Sequence, residues 1–282
     1  MIFDVHTHAH RQDSFSQRML QQCVRMRGYE LDMTSRLEDY RASCQSYAQT
    51  VKTVVFGGKA RLSGVWTSDR HVATYCSQDP ESLIPFLSLD PTQERWQDEM
   101  LEGHQDLKMK GIKLLPMYAG FYPQDRKLDE LWDYATRNRL PVLLHMGTTF
   151  VDQAPLDCTL PRHLDDVAIR YPECRIIIAH LGHPYEGETV AVIRKHPHVY
   201  ADVSALFYRP FQLYHSLMLV QEYGVWSKLF FGTDFPVTTV DDSVRGLRNL
   251  NSILEGTHLP RLDPNQMESM IHRDAGAILG LA

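Results

Sequence analysis

The chain contains 282 residues, of which 43% are hydrophobic, and its formal net charge is −6. This length and apolar fraction suffice for one large domain, and a mildly acidic chain without long single-sign runs gives no indication of nucleic-acid binding. Five cysteines without a C-x-x-C pair predict a reducing compartment rather than a disulfide framework or a zinc knuckle. No apolar run is long enough to cross a membrane, and no basic segment precedes an apolar stretch at the N-terminus. The sequence therefore predicts a cytoplasmic protein without membrane association.

Short apolar runs alternate with helical stretches along the chain. The predicted strands are residues 2–6, 53–56, 83–89, 111–115, 141–145, 175–180, 199–203 and 229–234. The main predicted helices are residues 37–51, 69–77, 92–107, 127–139, 160–171, 187–195, 211–223, 241–254 and 265–279. Continuous apolar runs are typical of strands buried on both faces, and this alternation predicts an α/β fold, a (β/α)8 TIM barrel. A doubly wound open sheet is the alternative, but it would need a glycine-rich turn, and no G-x-G-x-x-G occurs.

The segment at residues 9–35 follows the first strand and is rich in Gln, Arg, Met and Ser. It contains one short predicted helix, at residues 17–27. A long insertion directly after candidate ligands is typical of an active-site lid; a disordered surface loop is the alternative. Because the sequence indicates no domain boundary, we expect residues 1–282 to form one barrel with residues 9–35 as its lid.

Two histidines, His6 and His8, lie at the end of the first predicted strand. Side chains at positions i and i+2 of a strand point to the same face, with Cα atoms about 6.6 Å apart. Two converging neutral imidazoles form half of a metal site, since imidazole suits zinc, iron and nickel. The alternative is a pair of ordinary strand histidines.

Further polar residues occur at the ends of other predicted strands. In a TIM barrel the active site lies at the C-terminal ends of the strands. A lone charge or imidazole among apolar strand residues would be costly to bury without a partner. Each residue alone has an ordinary structural explanation, but the whole set predicts a metal site at this end of the barrel. The set comprises His6, His8, Lys113, His145, His180 and Asp234.

The motifs around these residues resemble the amidohydrolase superfamily of metal-dependent TIM barrels. They are IFDVHTH at residues 2–8, GIKL at 111–114, HMG at 145–147, AHLG at 179–182 and GTDFP at 232–236. Together they are similar to the amidohydrolase-2 branch, which includes aminocarboxymuconate semialdehyde decarboxylase and many hydrolases. The resemblance spans the whole chain and implies an enzyme, but it leaves the reaction class open.

The resemblance implies that His6, His8, His145 and Asp234 bind one divalent ion, with zinc as the expected metal. Such an ion would activate a water at neutral pH, and Asp234 would accept its proton. His180 would act as base, hydrogen-bond donor or second-metal ligand.

Two further residues have open roles in this prediction. Lys113 is expected to be a cation near a substrate carboxylate; the alternative is a carboxylated lysine that bridges two metals. Asp4 is expected to orient an imidazole or to be structural.

Loop residues suggest the substrate class. Arg209 could bind a carboxylate bidentately, and Tyr118 follows the fourth strand. We therefore expect a metal-dependent hydrolase acting on a small carboxylated substrate, such as a lactone, amide or ester. The alternatives are a non-oxidative decarboxylase of the same fold and a catalytically inactive barrel used for binding. The expected partner is a small molecule, and the sequence leaves a homo-oligomer open.

Overall fold

The structure is a computed structural model that describes residues 1–28, 30, 32–47 and 50–281. Its strands are β1 (Ile2–His8), β2 (Val51–Phe56), β3 (Lys59–Ala60), β4 (Val65–Trp66), β5 (Leu83–Pro85), β6 (Leu87–Leu89), β7 (Ile112–Leu114), β8 (Val142–Leu144), β9 (Ile176–Ile178), β10 (Val199–Asp202) and β11 (Leu229–Phe230). Its α-helices are α1 (Gln17–Arg27), α2 (Leu37–Cys44), α3 (Asp69–Cys76), α4 (Trp96–Leu101), α5 (Pro116–Ala119), α6 (Asp129–Arg137), α7 (His163–Arg170), α8 (Glu186–Lys195), α9 (Pro210–Glu222), α10 (Val240–Arg248), α11 (Pro264–Ile271) and α12 (Ala275–Leu279).

The parallel strands follow one another around a barrel. One parallel ladder runs in the order β1-β2-β5 and the other from β6 to β11. The ladders meet at Phe86, whose amide donates to the Val55 carbonyl, while the next amide donates to the Gly111 carbonyl. On the other side, the Val5 amide donates to the carbonyl of Phe231 at 3.0 Å and connects β1 to the last strand. The predicted (β/α)8 barrel is confirmed.

The barrel interior is filled by apolar side chains that point inward from successive strands. Outside the barrel, a second apolar layer fills the space between the strands and the helices. Each strand is covered by one apolar layer on its inner face and by the other on its outer face. Because neither face is exposed to solvent, the strand sequences are continuously apolar. The interior cluster includes Phe3, Val5, Val54, Phe56, Ile84, Phe86, Leu143, Ile177, Tyr200 and Phe230.

Several predicted boundaries are wrong. The helix predicted over residues 37–51 ends at Cys44, because Val51 already pairs with Ile2 in the parallel ladder. The helix predicted over 265–279 is two helices, because the Asp274 side chain accepts the Ala277 amide and begins a new one. The helix predicted over 241–254 ends at Arg248 and continues as a 3-10 turn. The β3–β4 hairpin and α5 have no counterpart among the predicted elements.

The segment after β1 covers the C-terminal end of the barrel. Its helix α1 begins after Ser16, whose side chain accepts the Met19 amide, and Phe15 forms an isolated bridge to Val65. The buried face of α1 includes Met19 and Cys23. The position of α1 agrees with the helix predicted over residues 17–27, and the lid role of residues 9–35 remains a prediction. In the described part of the chain, no helix is long and apolar enough to span a bilayer.

Candidate metal centre and active site

Asp234 connects the two histidines of β1. Its Oδ1 lies 3.1 Å from Nε2 of His6 and 2.9 Å from Nε2 of His8. Asp234 follows β11 with φ of +65°, a left-handed conformation that residues other than glycine seldom adopt. The Asp234 amide donates to the His6 carbonyl at 2.7 Å, so the backbone itself holds the carboxylate against the β1 imidazoles.

His180 and His145 face the same point from the neighbouring strands. Ligand atoms of His6, His180 and Asp234 all lie within 4.8 Å of one another, close enough to hold one metal ion. His180 also has a left-handed backbone, with φ of +57°, and its Nε2 lies 3.3 Å from Nδ1 of His145. The other ring nitrogen of His145 lies 3.3 Å from the Thr148 carbonyl oxygen. The four predicted ligands and His180 thus converge on one end of the barrel.

Asp202, at the end of β10, is the side chain that the sequence analysis missed. Its Oδ2 lies 2.8 Å from Nδ1 of His6, and its Oδ1 accepts the backbone amide of His180 at 2.9 Å. The Ser204 hydroxyl donates to the same carboxylate. Burial alone would raise the pKa of Asp202, but the neighbouring His6 and His180 hold it below its ordinary value. The available signal was an acidic residue at a strand's carboxyl end, the same criterion that identified Asp234.

Asp4 lies beneath the two histidines and is completely buried. Its carboxylate accepts the His6 amide at 3.1 Å, the Thr233 amide at 3.0 Å and the Thr233 hydroxyl at 2.7 Å. The Tyr40 hydroxyl also donates to it, at 3.0 Å. Burial raises the pKa of Asp4 to about 6, against the opposing effect of these hydrogen bonds. Asp4 therefore joins the backbones of β1 and the β11 end, and its hydrogen bonds in the described residues go to no imidazole.

The imidazoles of the cluster are suited to metal ligation. Burial lowers the pKa of His8 to about 4 and that of His180 to about 4, and it lowers the pKa of His145 well below its ordinary value. Neutral rings retain the lone pairs that a metal requires. Nδ1 of His8 is buried and has no hydrogen-bond partner among the described residues. His6 differs, because burial and Lys113 would lower its pKa but Asp202 and Asp234 raise it above its ordinary value. Three neutral imidazoles, His6 and one carboxylate form a donor set that fits a divalent transition metal such as zinc.

Lys113 is buried beside the cluster. Its Nζ lies 3.4 Å from Nε2 of His6 and 4.3 Å from the centre of the Phe56 ring. Burial lowers the pKa of Lys113 to about 7, while Asp202 and Asp234 act in the opposite direction. The structure therefore places this amine at the bottom of the site, next to the candidate metal ligands.

A cavity of about 380 Å³ opens above the cluster. Its floor is polar and its walls are largely apolar. All the predicted site residues except His6 line this cavity. His6 is completely buried beneath the floor. His10 also lines the cavity, with its ring stacked on His8 at 4.4 Å. The apolar walls include Phe15, Met19, Leu20, Cys23, Met26, Met33, Val65, Phe150 and Leu206.

Known structures resemble this chain closely in fold and distantly in sequence. An uncharacterized TIM-barrel protein from Bordetella bronchiseptica is 20% identical, with a TM-score of 0.74, covering 99% of this chain and 98% of that one. A probable 2-pyrone-4,6-dicarboxylic acid hydrolase from Acinetobacter baumannii, with bound citric acid, is 15% identical (TM-score 0.66; coverage 99% and 99%). A dihydroxybenzoic acid decarboxylase from Polaromonas sp. JS666, with bound manganese and 2-nitroresorcinol, is 15% identical (TM-score 0.63; coverage 99% and 97%).

The family of this chain is identified by comparison with sequence models of protein families, not by the similar structures. No curated protein matches the chain significantly. The family model described as Amidohydrolase (Amidohydro_2) matches residues 3–281. Apart from Ile2, that range contains all the strand-end motifs on which the predicted resemblance rests, and the prediction of the family is confirmed. This chain belongs to the amidohydrolase family.

Proposed function

We propose that the protein is a metal-dependent hydrolase of small carboxylated substrates, with one divalent ion, zinc, held by His6, His8, His145 and Asp234. The observation that carries this proposal is the convergence of imidazoles and one carboxylate at the floor of the cavity. His6, His180 and Asp234 lie close enough to hold one ion. His8 contacts Asp234 at 2.9 Å, and His145 contacts His180 at 3.3 Å. A divalent ion bound there supplies an activated water and polarises a carbonyl group. The bound manganese of the Polaromonas decarboxylase supports a divalent ion in a barrel of this fold.

Proton transfer in this proposal belongs to Asp234 and His180. Both side chains line the cavity, so both can reach a bound substrate. Because the Ser204 hydroxyl donates to Asp202, Nδ1 of His180 carries the proton and donates to the Ser204 hydroxyl oxygen at 2.8 Å. Nε2 of His180 is then left with a lone pair toward the reacting groups. Asp234 takes the proton of the attacking water and transfers it to the leaving group, while Nε2 of His180 accepts a hydrogen bond from that water and holds it in place.

Substrate binding is assigned to Lys113, Tyr118 and Arg209. All three line the cavity, and the Tyr118 ring packs edge-on against His145 with centres 4.9 Å apart. Tyr118 fixes the position of the substrate above the metal ligands. The two basic residues lie on different elements, β7 and the loop before α9, so they can contact different parts of one anionic molecule.

Decarboxylation is the second candidate, and the apolar walls favour it. A carboxy-lyase must hold an unsaturated acid flat against apolar surfaces while CO2 departs, and the side chains of the lid provide such surfaces. Hydrolysis is preferred because Asp234 and His180 already provide two acceptors for the protons of an attacking water at the floor.

The experiment is a panel of lactones, N-acyl amino acids and aromatic or muconate-type acids incubated with the purified protein in H₂¹⁸O. Released CO2 and ¹⁸O incorporation are measured separately. The hydrolase proposal predicts ¹⁸O in the product without CO2. Release of CO2 without ¹⁸O incorporation would contradict hydrolysis and select the decarboxylase.

A further inference from the structure

Arg209 carries a charge that the described structure does not neutralise. Its guanidinium lines the cavity and lies 5.3 Å from the centre of the Tyr208 ring. Among the described residues, its hydrogen-bond partner is an imidazole, Nε2 of His183 at 2.7 Å, and no carboxylate forms an ion pair with it. A guanidinium stays protonated in proteins. A cation facing a largely apolar cavity calls for an anionic ligand.

The contact with His183 has a defined direction. The Arg209 guanidinium can only donate, so Nε2 of His183 accepts and its Nδ1 carries the proton. That Nδ1 faces Oε1 of Glu186 at 3.4 Å. Glu186 is itself buried, with a relative exposure of 3%, so its carboxylate is fixed inside the protein. Arg209, His183 and Glu186 therefore form a chain of contacts from the cavity wall into the interior.

Two residues of α9 hold Glu186 in place. The Ser216 hydroxyl donates to Oε1 of Glu186 at 3.0 Å, and the Gln212 amide donates to the same oxygen. Arg209 directly precedes α9. The position of this helix therefore fixes both the guanidinium and the two side chains that orient Glu186. The guanidinium is thereby preorganised for a ligand, which reduces the entropy lost on binding.

From this geometry we propose that Arg209, positioned by His183 and Glu186, binds the substrate's carboxylate, and that the substrate is a monocarboxylate with an apolar body. The inference rests on the proposed function in treating the bound molecule as the substrate of a reaction. The preference for a carboxylate is argued from Arg209 and its contacts alone. Among the described residues, Arg209 is the one arginine that lines the cavity, so one carboxylate satisfies it. Lys113 also lines the cavity but lies at the floor, 3.4 Å from His6, so it faces the reacting end of the substrate and not the end that Arg209 binds. The apolar walls, including Met19 and Phe150, contact the rest of the molecule.

The test measures dissociation constants by titration calorimetry for 4-phenylbutanoate, 4-phenylbutanamide and 3-phenylpropylphosphonate. The protein is titrated as purified and again after removal of metal with a chelator. We expect the carboxylate to bind more tightly than the amide in both states. Arg209→Met should abolish this preference, a loss of about 10- to 100-fold in carboxylate affinity, whereas Arg209→Lys should retain part of it.

Glu186→Gln tests the positioning role. It should weaken carboxylate binding about three- to tenfold and leave amide binding unchanged, a difference that general damage to the fold would not produce. Glu188→Gln is the matched control, because Glu188 lies on the same helix but pairs with Arg162. It should leave both dissociation constants within twofold of the wild type.

Each contrary result has a distinct meaning. Equal affinities for carboxylate and amide, or a preference unchanged in Arg209→Met, would overturn the inference. Tighter binding of the phosphonate would overturn the assignment to a carboxylate. A preference lost on chelation would place the carboxylate at the metal centre, overturning this inference while leaving the proposed function intact. If the protein contains no metal as purified and still prefers the carboxylate over the amide, the result would support the role of Arg209 and contradict the proposed function.

Discussion

At the level of single residues, Asp202 connects the imidazole of His6 to the backbone of His180. It contacts the His6 ring through one oxygen and the His180 backbone through the other. A carboxylate on the far nitrogen of a ligating histidine fixes the ring's orientation and tautomer. The ring nitrogen of His6 that faces Asp234 is then the one left for a metal.

Asp202→Asn should lower metal affinity by about 10- to 100-fold, because the amide cannot hold the His6 ring as an ionised carboxylate does. Competition with a chelating dye measures this affinity. Asp133→Asn, an exposed substitution on α6, is the control and should not change it. Unchanged affinity in Asp202→Asn would contradict the orienting role.

His180→Asn separates ligation from proton transfer. If His180 acts in the chemistry, the variant should keep its metal and lose about 10²- to 10⁴-fold in kcat on the substrate identified in the panel. Metal content and kcat are measured together, with His163→Asn on α7 as the control. Loss of the metal would instead make His180 a ligand, as its position near His6 and Asp234 also permits.

The motif residues could be predicted from the sequence because each one either provides a metal-ligating or charged side chain at a strand end or allows two segments of backbone to approach closely there. Gly147 is an example of the second kind: its φ is +113°, and a Cβ there would lie 2.1 Å from the His183 carbonyl oxygen. Asp202 also ends a strand, but it was not predicted because no recognisable motif surrounds it. The Arg209–His183–Glu186 contacts could not be predicted, since they join two separate loops and a helix.

At the level of elements, helix α1 covers the cavity with a face that buries Met19 and Cys23, and polar side chains of the same helix contact Asp152. Arg18 donates to Oδ1 of Asp152 at 2.8 Å, and Gln22 donates to the same oxygen at 2.5 Å. Exposed ion pairs contribute little to stability, and Arg18 and Asp152 are both about half exposed. These polar contacts therefore add little to the free-energy cost of opening α1, as the predicted lid requires.

Asp152→Ala should increase opening of α1. The lost contacts should lower the free energy of opening by about 1 kcal/mol or less. Amide hydrogen exchange over residues 17–27, measured by mass spectrometry, should then be up to roughly fivefold faster. Exchange in β8 and β9 should be unaffected. Asp133→Ala provides the control. Unchanged exchange in Asp152→Ala would show that these contacts do not hold the lid closed.

Element types were more predictable than element ends. Apolar runs identified every barrel strand, because burial on both faces leaves a strong signal in the sequence. The β3–β4 hairpin was not predictable in the same way, since its strands, Lys59–Ala60 and Val65–Trp66, are too short to show a period. The division of residues 265–279 into α11 and α12 depends on a local cap at Asp274.

At the level of the whole molecule, one buried ion-pair cluster outside the site contributes to stability. Nζ of Lys59 lies 2.7 Å from Asp69 and 2.7 Å from Glu99. Lys59 and Asp69 are both buried. Breaking such a pair leaves an uncompensated charge in the interior, which is more costly than removing both charges.

Lys59→Met should therefore destabilise the protein by about 3–5 kcal/mol, measured as the free energy of unfolding in urea. The double variant Lys59→Met/Asp69→Asn should lose less, because no buried charge remains without a partner. Lys52→Met, at a half-buried lysine of β2, should change stability by about 0.5 kcal/mol or less. A double variant less stable than Lys59→Met would contradict this explanation.

The whole barrel brings together residues far apart in the sequence, from β1 to β11, at one end of the fold, and the central claim is that they bind a metal there. Elemental analysis of the purified wild type and of a His6→Ala/His8→Ala variant tests that claim most directly. We predict about one divalent ion per chain in the wild type and almost none in the variant, with circular dichroism confirming that both are folded. Equal metal content in the two proteins would contradict the assignment.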